Sequence, residues 1–580
     1  MSSKGKLISV AIDFGTTFSG FAYSTLDDFK QNPAKVFTTT WNDGQGMITT
    51  KAPTAVLFKP DGTLFEFGYD AQIEYAALVE RKAQADWLYF SRFKMLLFHQ
   101  NVTTRTRLRA ENGSSMKALD IFSAVIRYFK DKFLNEMRDK VTNLSLERII
   151  WVLTVPAIWD DNAKEFMAMA AEQAGIPEKS LRLVYEPEAA ALFCKHTSFS
   201  SEALSGKKES IFTRGSKFMI IDLGDGTVDI TSHEVNSDGR LDALAEPSGG
   251  PWGGVLVDAR WQNLLEELFG ADVVNELCND FTDKLDLDRD IEVKKRAIKL
   301  SELEIARLKL PPCVMSIFTE KNENVPFKER LKGSKFEDKV EYRRGSLEIL
   351  NKFLLETYID PVSNVTAHLQ RELSRRELKD VKTLILVGGL SDSKIIRAEL
   401  QARFPGYTLL MPEEAAVSVL KGAVIFGHSK AFIKSHKLPY SYGVCTNVPF
   451  DVNIHREFLK IQQSDGRIMC SDVIHPLVRK GETIVVEETT RKKLFHSPRP
   501  GMRHIEVEIY KIPQDIEPGS VLYTIDCKRV CTLNLDVQNV QNDEKATVSV
   551  QMHFGGTRIE FTANEFGTEN SVSCKPRWFP

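Results

Sequence analysis

Two aspartates far apart in the chain stand in the same chemical setting. Asp13 ends the apolar run Leu7, Ile8, Val10, Ile12 and is followed by Gly15, Thr16 and Thr17. Asp222 ends the run Phe218, Met219, Ile220, Ile221 and is followed by Gly224, Asp225, Gly226 and Thr227. Each run reads as a buried strand. Each return segment, Gly20-Phe21-Ala22-Tyr23 in the first case and Val228-Asp229-Ile230-Thr231 in the second, reads as its hairpin partner. An Asp-Gly pair between apolar strands is the strongest short-range hairpin signal. A turn of small residues lets a phosphate reach backbone N–H groups, and a carboxylate beside it can hold a hydrated magnesium ion. One such hairpin is structurally ordinary. Two of them point to duplicated halves with a phosphate clamped between.

Other groups fit the same chemistry. Lys94 lies in the apolar run Trp87–Phe98, where a lysine either snorkels to water or reaches a fixed anion. Glu186 precedes Pro187 at the start of an alanine-rich helix; its carboxylate either caps that helix or does chemistry there. The stretch Ser248–Gly254 carries four glycines ahead of a helix expected over 257–268. Gly253 and Gly254 suit a second phosphate approach at that helix N-terminus. Gly388 and Gly389 form a turn between the strand and the helix of Val381–Leu400.

The elements that must position these groups are legible from periodicity. A hairpin is expected around Asp61-Gly62, with helices over 70–90 and 119–141. The strand in Arg148–Asp160 is ended by Pro156, and a helix over 161–175 closes on Gly175. Residues 199–216 read as an exposed polar loop. A charged helix is expected over 290–310, short strands with a polar loop over 311–345, and helix over 346–378. Pro412-Glu413-Glu414 caps a last helix ending near Phe426. From Tyr440 onward short runs alternate in period two, punctuated by glycine and proline, as in an all-β sandwich. The expected organisation is a nucleotide-binding α/β unit over 1–432, a linker over 433–440, and a β-rich substrate-binding domain over 441–580. Within the first unit, lobe I spans about 1–215 plus the last helix and lobe II about 216–410.

Bulk composition narrows the function class. The 580 residues are 42% apolar and 27% charged, which fits a soluble globular protein of several folding units. A net charge of −3, from 76 basic and 79 acidic residues, gives no electrostatic case for nucleic acid or an acidic membrane. Eight scattered cysteines without a Cys-x-x-Cys pair argue against disulfides and zinc and for a reducing compartment, the cytoplasm and with it the nucleus. Asp13 breaks the first apolar run too early for a leader, and no stretch reaches the roughly 18 apolar residues of a membrane span. Sequons at Asn101, Asn112, Asn143 and Asn364 read as chance.

The motifs AIDFGTTFSG, FSRFKMLL, LTVPAIWDDNAKEFMAMAAEQAG, VYEPEAAAL, IIDLGDGTVDI and LVGGLSDSKIIRAEL occur in this order. Together they make residues 5–430 resemble the nucleotide-binding domain of the seventy-kilodalton heat-shock proteins, of the actin and sugar-kinase superfamily. The likeness is greatest to the divergent heat-shock protein twelve branch. The resemblance implies a two-lobed actin-like (ribonuclease H-like) ATPase domain that takes ATP or ADP with Mg2+. It assigns Asp13, Gly15, Thr16 and Thr17 to one phosphate loop and Asp222 to Thr227 to the other, with Asp13 and Asp222 holding the metal through water. Lys94 would touch the γ-phosphate and position the attacking water, and Glu186 and Asp229 would complete that network. Glu304 and Arg307 would contact the adenosine, and Gly388 and Gly389 would face adenine and ribose. The β tail looks like a remote version of the family's peptide-binding sandwich, which implies a polypeptide client or signalling partner and a chaperone role in stress response.

The chain departs from the pattern in places. Asp225 stands where the family has glycine; a carboxylate about 4 Å from a phosphate would cost up to about 4 kcal/mol at an effective dielectric near 20, unless it turns to water in a tight Asp-Gly turn. Asp392 stands where an arginine stacks on adenine, so weaker or altered base binding is expected. The acidic hydrophobic linker, the helical lid and the charged C-terminal peptide of the standard chaperones are not expected here. The reading is therefore a slow, magnesium-dependent ATPase with a lidless polypeptide-binding β domain. The alternatives are a non-catalytic nucleotide-sensing scaffold, motivated by Asp225, and a carbohydrate kinase, against which the β tail speaks.

Overall fold

The computed structural model describes residues 6–44, 46, 48–99, 102–141, 144–197, 211–429, 432–463, 466–490, 492–512, 520–541 and 543–575. The sequons at Asn101 and Asn143, and residues 199–210 of the expected loop, lie outside this set. The fold is mixed α/β, with two large sheets that share one strand order.

In the first sheet β1 (Ile8–Asp13) is flanked by its hairpin return β2 (Phe18–Thr25), on which lie β3 (Phe37–Thr38) and β4 (Ala52–Pro53). On the other side of β1 run β5 (Ile149–Val155) and β6 (Leu181–Tyr185), both parallel. β1 and β5 are buried along their whole length, as their unbroken apolar runs require. Helices α1 (Ala118–Arg138), α2 (Asp161–Gln173) and α3 (Glu186–His196) belong to this half.

The second sheet repeats the plan. β7 (Lys217–Leu223) is followed by its antiparallel return β8 (Val228–Val235), then by β9 (Leu241–Ala243) and β10 (Ser248–Gly250), which both pair with β8. An excursion holds α4 (Gly254–Phe269), α5 (Phe281–Ala297) and the antiparallel strands β11 (Ile305–Lys309) and β12 (Ser346–Leu350). The chain returns as β13 (Thr383–Val387) and β14 (Thr408–Leu410), parallel beside β7. Between the two sheets lie α3 and α6 (Ser418–His428), whose Ala189, Ala190, Ala191 and Ala423 share a core with Ala11 and Val152 of one sheet and Ile220 and Val387 of the other. Small residues on both helices let them pass close to each other.

Residues 433–440, expected as a linker, carry strand β15 (Ile433–Lys437). It runs parallel to β9, whose free edge supplies the hydrogen-bonding partners, and Ser435 Oγ donates to Asp242 Oδ1 at 2.6 Å. Beyond it, β16 (Ser441–Pro449), β17 (Lys460–Gln462) and β18 (Ile468–Val478) join a five-stranded antiparallel sheet, while β19 (Thr483–Val485) turns back to pair with β15. β20 (Lys493–His496) belongs to a four-stranded sheet; β21 (His504–Ile512) and β22 (Lys528–Asp536) complete the five-stranded one. β23 (Thr547–Gly555), β24 (Arg558–Glu565) and β25 (Ser571–Cys574) complete the other. The two sheets share one core, in which Tyr442, Ile509 and Leu533 pack with Val550, Met552 and Phe561.

Three expected elements are corrected. The helix expected over 290–310 is α5, and it lies earlier, because the Asp280 side chain caps it by accepting from Thr282 N and Asp283 N. Its expected second half is β11, where Arg307 faces Glu348 across the ladder. Residues 311–345 hold one expected short strand, Val340–Arg343, but also two short helices, Val314–Lys321 and Phe327–Leu331. The expected helix over 346–378 begins as β12 before turning helical at Asn351. Among the described residues no helix is long and apolar enough to cross a membrane.

Candidate functional site

The β1–β2 and β7–β8 turns come together. A Cβ built on Gly226 in the second turn would lie 2.4 Å from Thr16 Oγ1 in the first and 2.7 Å from Met95 Sδ. The first turn is tied from behind. Thr54 Oγ1 donates to Gly15 O at 2.9 Å, Thr54 N to Thr17 O at 2.7 Å, and Gly15 N to Ser19 Oγ at 3.1 Å. Gly15 itself is required, since a Cβ there would stand 2.0 Å from Phe18 O. In front, Thr17 Oγ1 is buried without a hydrogen-bond partner among the described residues. The second turn closes through Gly224 N, which donates to Thr227 O at 3.1 Å. It rests on the start of α4, where Gly254 N donates to Gly224 O and Val255 N to Asp225 O.

Four carboxylates belong to this place. Asp13 and Asp222 end the central strands of the two sheets. Asp13 Oδ1 accepts from Thr154 Oγ1 at 2.9 Å, and Lys51 Nζ lies 2.6 Å from its Oδ2. Asp229, opposite Asp222 in the ladder, accepts from Thr227 Oγ1 at 2.7 Å and from Ile158 N at 3.0 Å. Glu186 opens α3 and receives Lys94 Nζ at 2.8 Å; the same ammonium lies 5.0 Å from the centre of the Trp159 ring. Gly388 packs on Asp222: a Cβ there would meet Asp222 Oδ1 at 2.3 Å, and its φ of 85° also favours glycine. A Cβ on Gly389 would meet nothing within 4 Å.

The electrostatics follow from burial and crowding. Burial and the charges of Glu186, Asp229 and Asp13 push the Asp222 carboxyl well above the usual range. Burial pushes Glu186 up to about 7, against the pull of Lys94. Asp229 is also raised by burial, with the Thr227 hydroxyl and the Ile158 amide opposing. Burial would raise Asp13 too, but Lys51, Lys94 and Thr154 hold it below the usual carboxylate range. The carboxyls of Asp222, Glu186 and Asp229 are thus crowded together, and a cation among them would relieve that crowding of charge. No three His, Cys, Asp or Glu side chains among the described residues are close enough to ligate a metal together. Asp13 and Asp222 could hold a magnesium ion through its waters, the mode that ion favours. The unpartnered Thr17 hydroxyl and the bare glycines fit a phosphate beside it.

The Asp225 side chain lies against the start of α4. It is half-buried, and its Oδ1 lies where a Cβ on Gly254 would be, at 2.4 Å, with Lys295 Nζ 3.4 Å from the same point. A Cβ on Gly253 would likewise strike Asp225 O at 2.3 Å. Burial raises its carboxyl, and Lys295 is the main charge opposing that rise. Lys295 also binds Asp258 at 2.8 Å and Glu292 at 2.7 Å, so losing Asp225 leaves no lone cation. Asp225→Asn is therefore expected to change MgADP affinity by less than about threefold in calorimetry; a tenfold gain, about 1.4 kcal/mol, would mean that the carboxylate acts on the phosphates.

Glu304 and Arg307 are not brought to the turns. Glu304 pairs with Lys299, and Arg307 is exposed on β11 and pairs with Glu348. The shift of α5 away from 290–310 is the reason. Helix α5 instead supplies Lys295, beside Asp225, and Arg296, whose guanidinium lies 5.6 Å from the Phe18 ring centre. Burial raises the Asp392 carboxyl against the charges of Arg296 and Arg397, so guanidinium groups act on this position although residue 392 is acidic. Lys51, Thr154, Lys295 and Arg296 do not stand out in the sequence. Only the last two carry a local signal, as neighbouring cations in a charged helix.

The family model for Hsp70 protein matches residues 92–446. Heat shock 70 kDa protein 12B of Homo sapiens is 29% identical over 629 aligned positions, covering 97% of this chain and 90% of that protein. Heat shock 70 kDa protein 12A of Mus musculus is 29% identical, covering 98% of this chain and 90% of its own length. Chaperone protein DnaK of Metamycoplasma hominis is 24% identical over 80% of this chain and 71% of its own. The family match spans more than half of the chain and covers the second turn, Lys94 and Glu186; the chain belongs to the Hsp70 family of ATP-binding proteins with an actin-like fold, and resembles its divergent heat shock protein 12 branch over nearly its full length.

Proposed function

We propose that the protein binds ATP and ADP with magnesium between the two acidic turns and hydrolyses ATP slowly. In this reading each large sheet and its helices form one lobe of a clamp, lobe I over about 1–215 with α6 and lobe II over about 216–410. Residues 441–580 form a β sandwich that binds polypeptide. The observation that carries the proposal is the approach of Thr16 to Gly226, two phosphate-type turns from different halves so close that a single added methyl group would collide.

The residues divide the work as follows. Backbone amides of Thr16 and Thr17 on one side, and of Gly226 and Thr227 on the other, donate to the phosphate oxygens, while the Gly15 and Gly224 amides brace their own turns. Asp13 and Asp222 hold the waters of the metal. Magnesium, when bound, would offset phosphate charge. Lys94 is held by Glu186 and Trp159 with its ammonium toward the turns, and it stabilises the charge that develops on the γ-phosphate. Glu186 and Asp229 orient water, and Gly388, Gly389 and Asp392 line the side taken by the base. Phosphoryl transfer asks chiefly for positioning and charge neutralisation, which this set supplies. Nucleotide state then biases how far the halves close.

Calorimetric titration of the full chain with ATP and with ADP, in excess magnesium, tests the reading. Saturable binding of both is expected, with a Kd of about 1 mM or tighter, equivalent to at least about 4.1 kcal/mol. Absence of heat for both nucleotides would overturn it.

A further inference from the structure

Lys51 has no part in the roles above, yet its placement is tightly specified. It precedes β4, which pairs with β2 through Ala52 opposite Ser19 and Pro53 opposite Phe18. Its target, Asp13, lies at the end of β1, on the far side of β2. The register puts Gly20 opposite Asp13. A Cβ on Gly20 would stand 3.1 Å from Lys51 Cγ and 3.0 Å from Thr50 O, so the lysine stem runs through the space that any other residue at position 20 would use. At the end of that path Nζ lies 2.6 Å from Asp13 Oδ2, with the side chain 20% exposed.

The head group is an ammonium in a crowded acidic place, with Asp13 as its nearest partner. Both Asp13 oxygens are engaged, one by Thr154 and the other by Lys51. A hydrated metal at Asp13 must therefore share that carboxylate with a cation that the chain itself carries. An ammonium has three donors. One on Asp13 leaves others for a phosphate oxygen, and a lysine is a good phosphate ligand as a point charge.

We propose that Lys51 is a tethered cation of the phosphate site, supplying at Asp13 part of the countercharge a divalent metal would bring, so that the protein holds nucleoside diphosphate without magnesium. This rests on the nucleotide reading above. The test is calorimetry of the full chain with ADP, in excess magnesium chloride and then in EDTA, for wild type, Lys51→Met and Lys51→Arg. Wild type and Lys51→Arg are expected to lose about tenfold or less in affinity on metal removal, and Lys51→Met about a hundredfold or more, roughly 2.7 kcal/mol. In thermal unfolding with magnesium chloride alone, Lys51→Met should gain more stability than wild type, because its Asp13 is free for the hydrated ion. If wild type binds with magnesium but loses ADP in EDTA as steeply as Lys51→Met, the tethered cation is wrong and the nucleotide site stands. If wild type binds under neither condition, both fall. Should Lys51→Met fail to fold, the size of the wild-type loss in EDTA decides.

Discussion

Replacing Lys94 with alanine is expected to lower the proposed ATP turnover by about 10²–10³-fold, the usual loss when one preorganised charge is taken from a reacting oxyanion. MgADP affinity should change by less than about tenfold. Lys94 is 4% exposed, fixed between Glu186 and the face of Trp159, and reaches the turns from the first half of the chain. In the proposed site the ground-state grip on phosphate is assigned mostly to backbone amides, which the substitution does not touch. The charge that grows on the γ-phosphate depends on Lys94 in this reading, since the ammonium of Lys51 is anchored at Asp13. Removing Lys94 also takes away the ammonium that pairs with Glu186, whose carboxyl, already about 7, rises further because the opposing cation is gone. Lys94→Arg should not restore turnover: the planar guanidinium is larger than the ammonium and presents its charge differently. Steady-state phosphate release, with calorimetry on the same samples, separates the two effects. Unchanged turnover in Lys94→Ala would remove the residue from the chemistry.

Both turns are legible from the amino-acid order alone, and the reason is physical. Each is a local pattern, an apolar strand ending on aspartate with glycine and threonine behind it, and the geometry of such a turn depends on few outside partners. The central strands and the helices around them are legible for the same reason, since their burial imposes long apolar runs or strong periodicity. The adenosine side is not. Where α5 ends and β11 begins depends on the Asp280 cap and on a partner strand, β12, that lies some way downstream. Ile305–Lys309 is helix-compatible in composition and becomes strand because β12 offers it a ladder. Glu304 and Arg307, expected at the adenosine, thus stand just before and on this strand and not on a helix. Lys51 is invisible for another reason: its meaning depends on the register of β1 with β2, which puts Gly20 beside its path. The edge at β9 likewise turns an unremarkable connector into β15.

Gly422→Ala is expected to be the most damaging substitution in the core. A Cβ at this position of α6 would lie 1.7 Å from Ala189 O and 2.4 Å from Ala189 C, both backbone atoms of α3. Neither helix has room to withdraw, since each is wedged between the two sheets with Ala190, Ala191, Leu420 and Val424 fully buried. Overpacking costs about 1–3 kcal/mol where side chains can yield, and more where they cannot. A loss of about 3 kcal/mol should lower the melting temperature by about 6–12 °C for a unit of this size. Ala189 lies one helical turn beyond Glu186, so a molecule that still folds must move the Glu186–Lys94 pair, and turnover should fall with stability. Gly427→Ala supplies the contrast. Its Cβ would meet side chains only, Ser9 Oγ at 1.9 Å, Ser9 Cβ at 2.9 Å and Val152 Cγ2 at 3.1 Å, and the hydroxyl can rotate away at the expense of the bond it donates to Val424 O. That bond is worth about 1 kcal/mol and the Ser9 Cβ contact adds to the cost, so this variant should melt below wild type but above Gly422→Ala. If Gly422→Ala melts with wild type, the two helices do not cross backbone to backbone, and the coupling of their packing to Glu186 is lost with that contact.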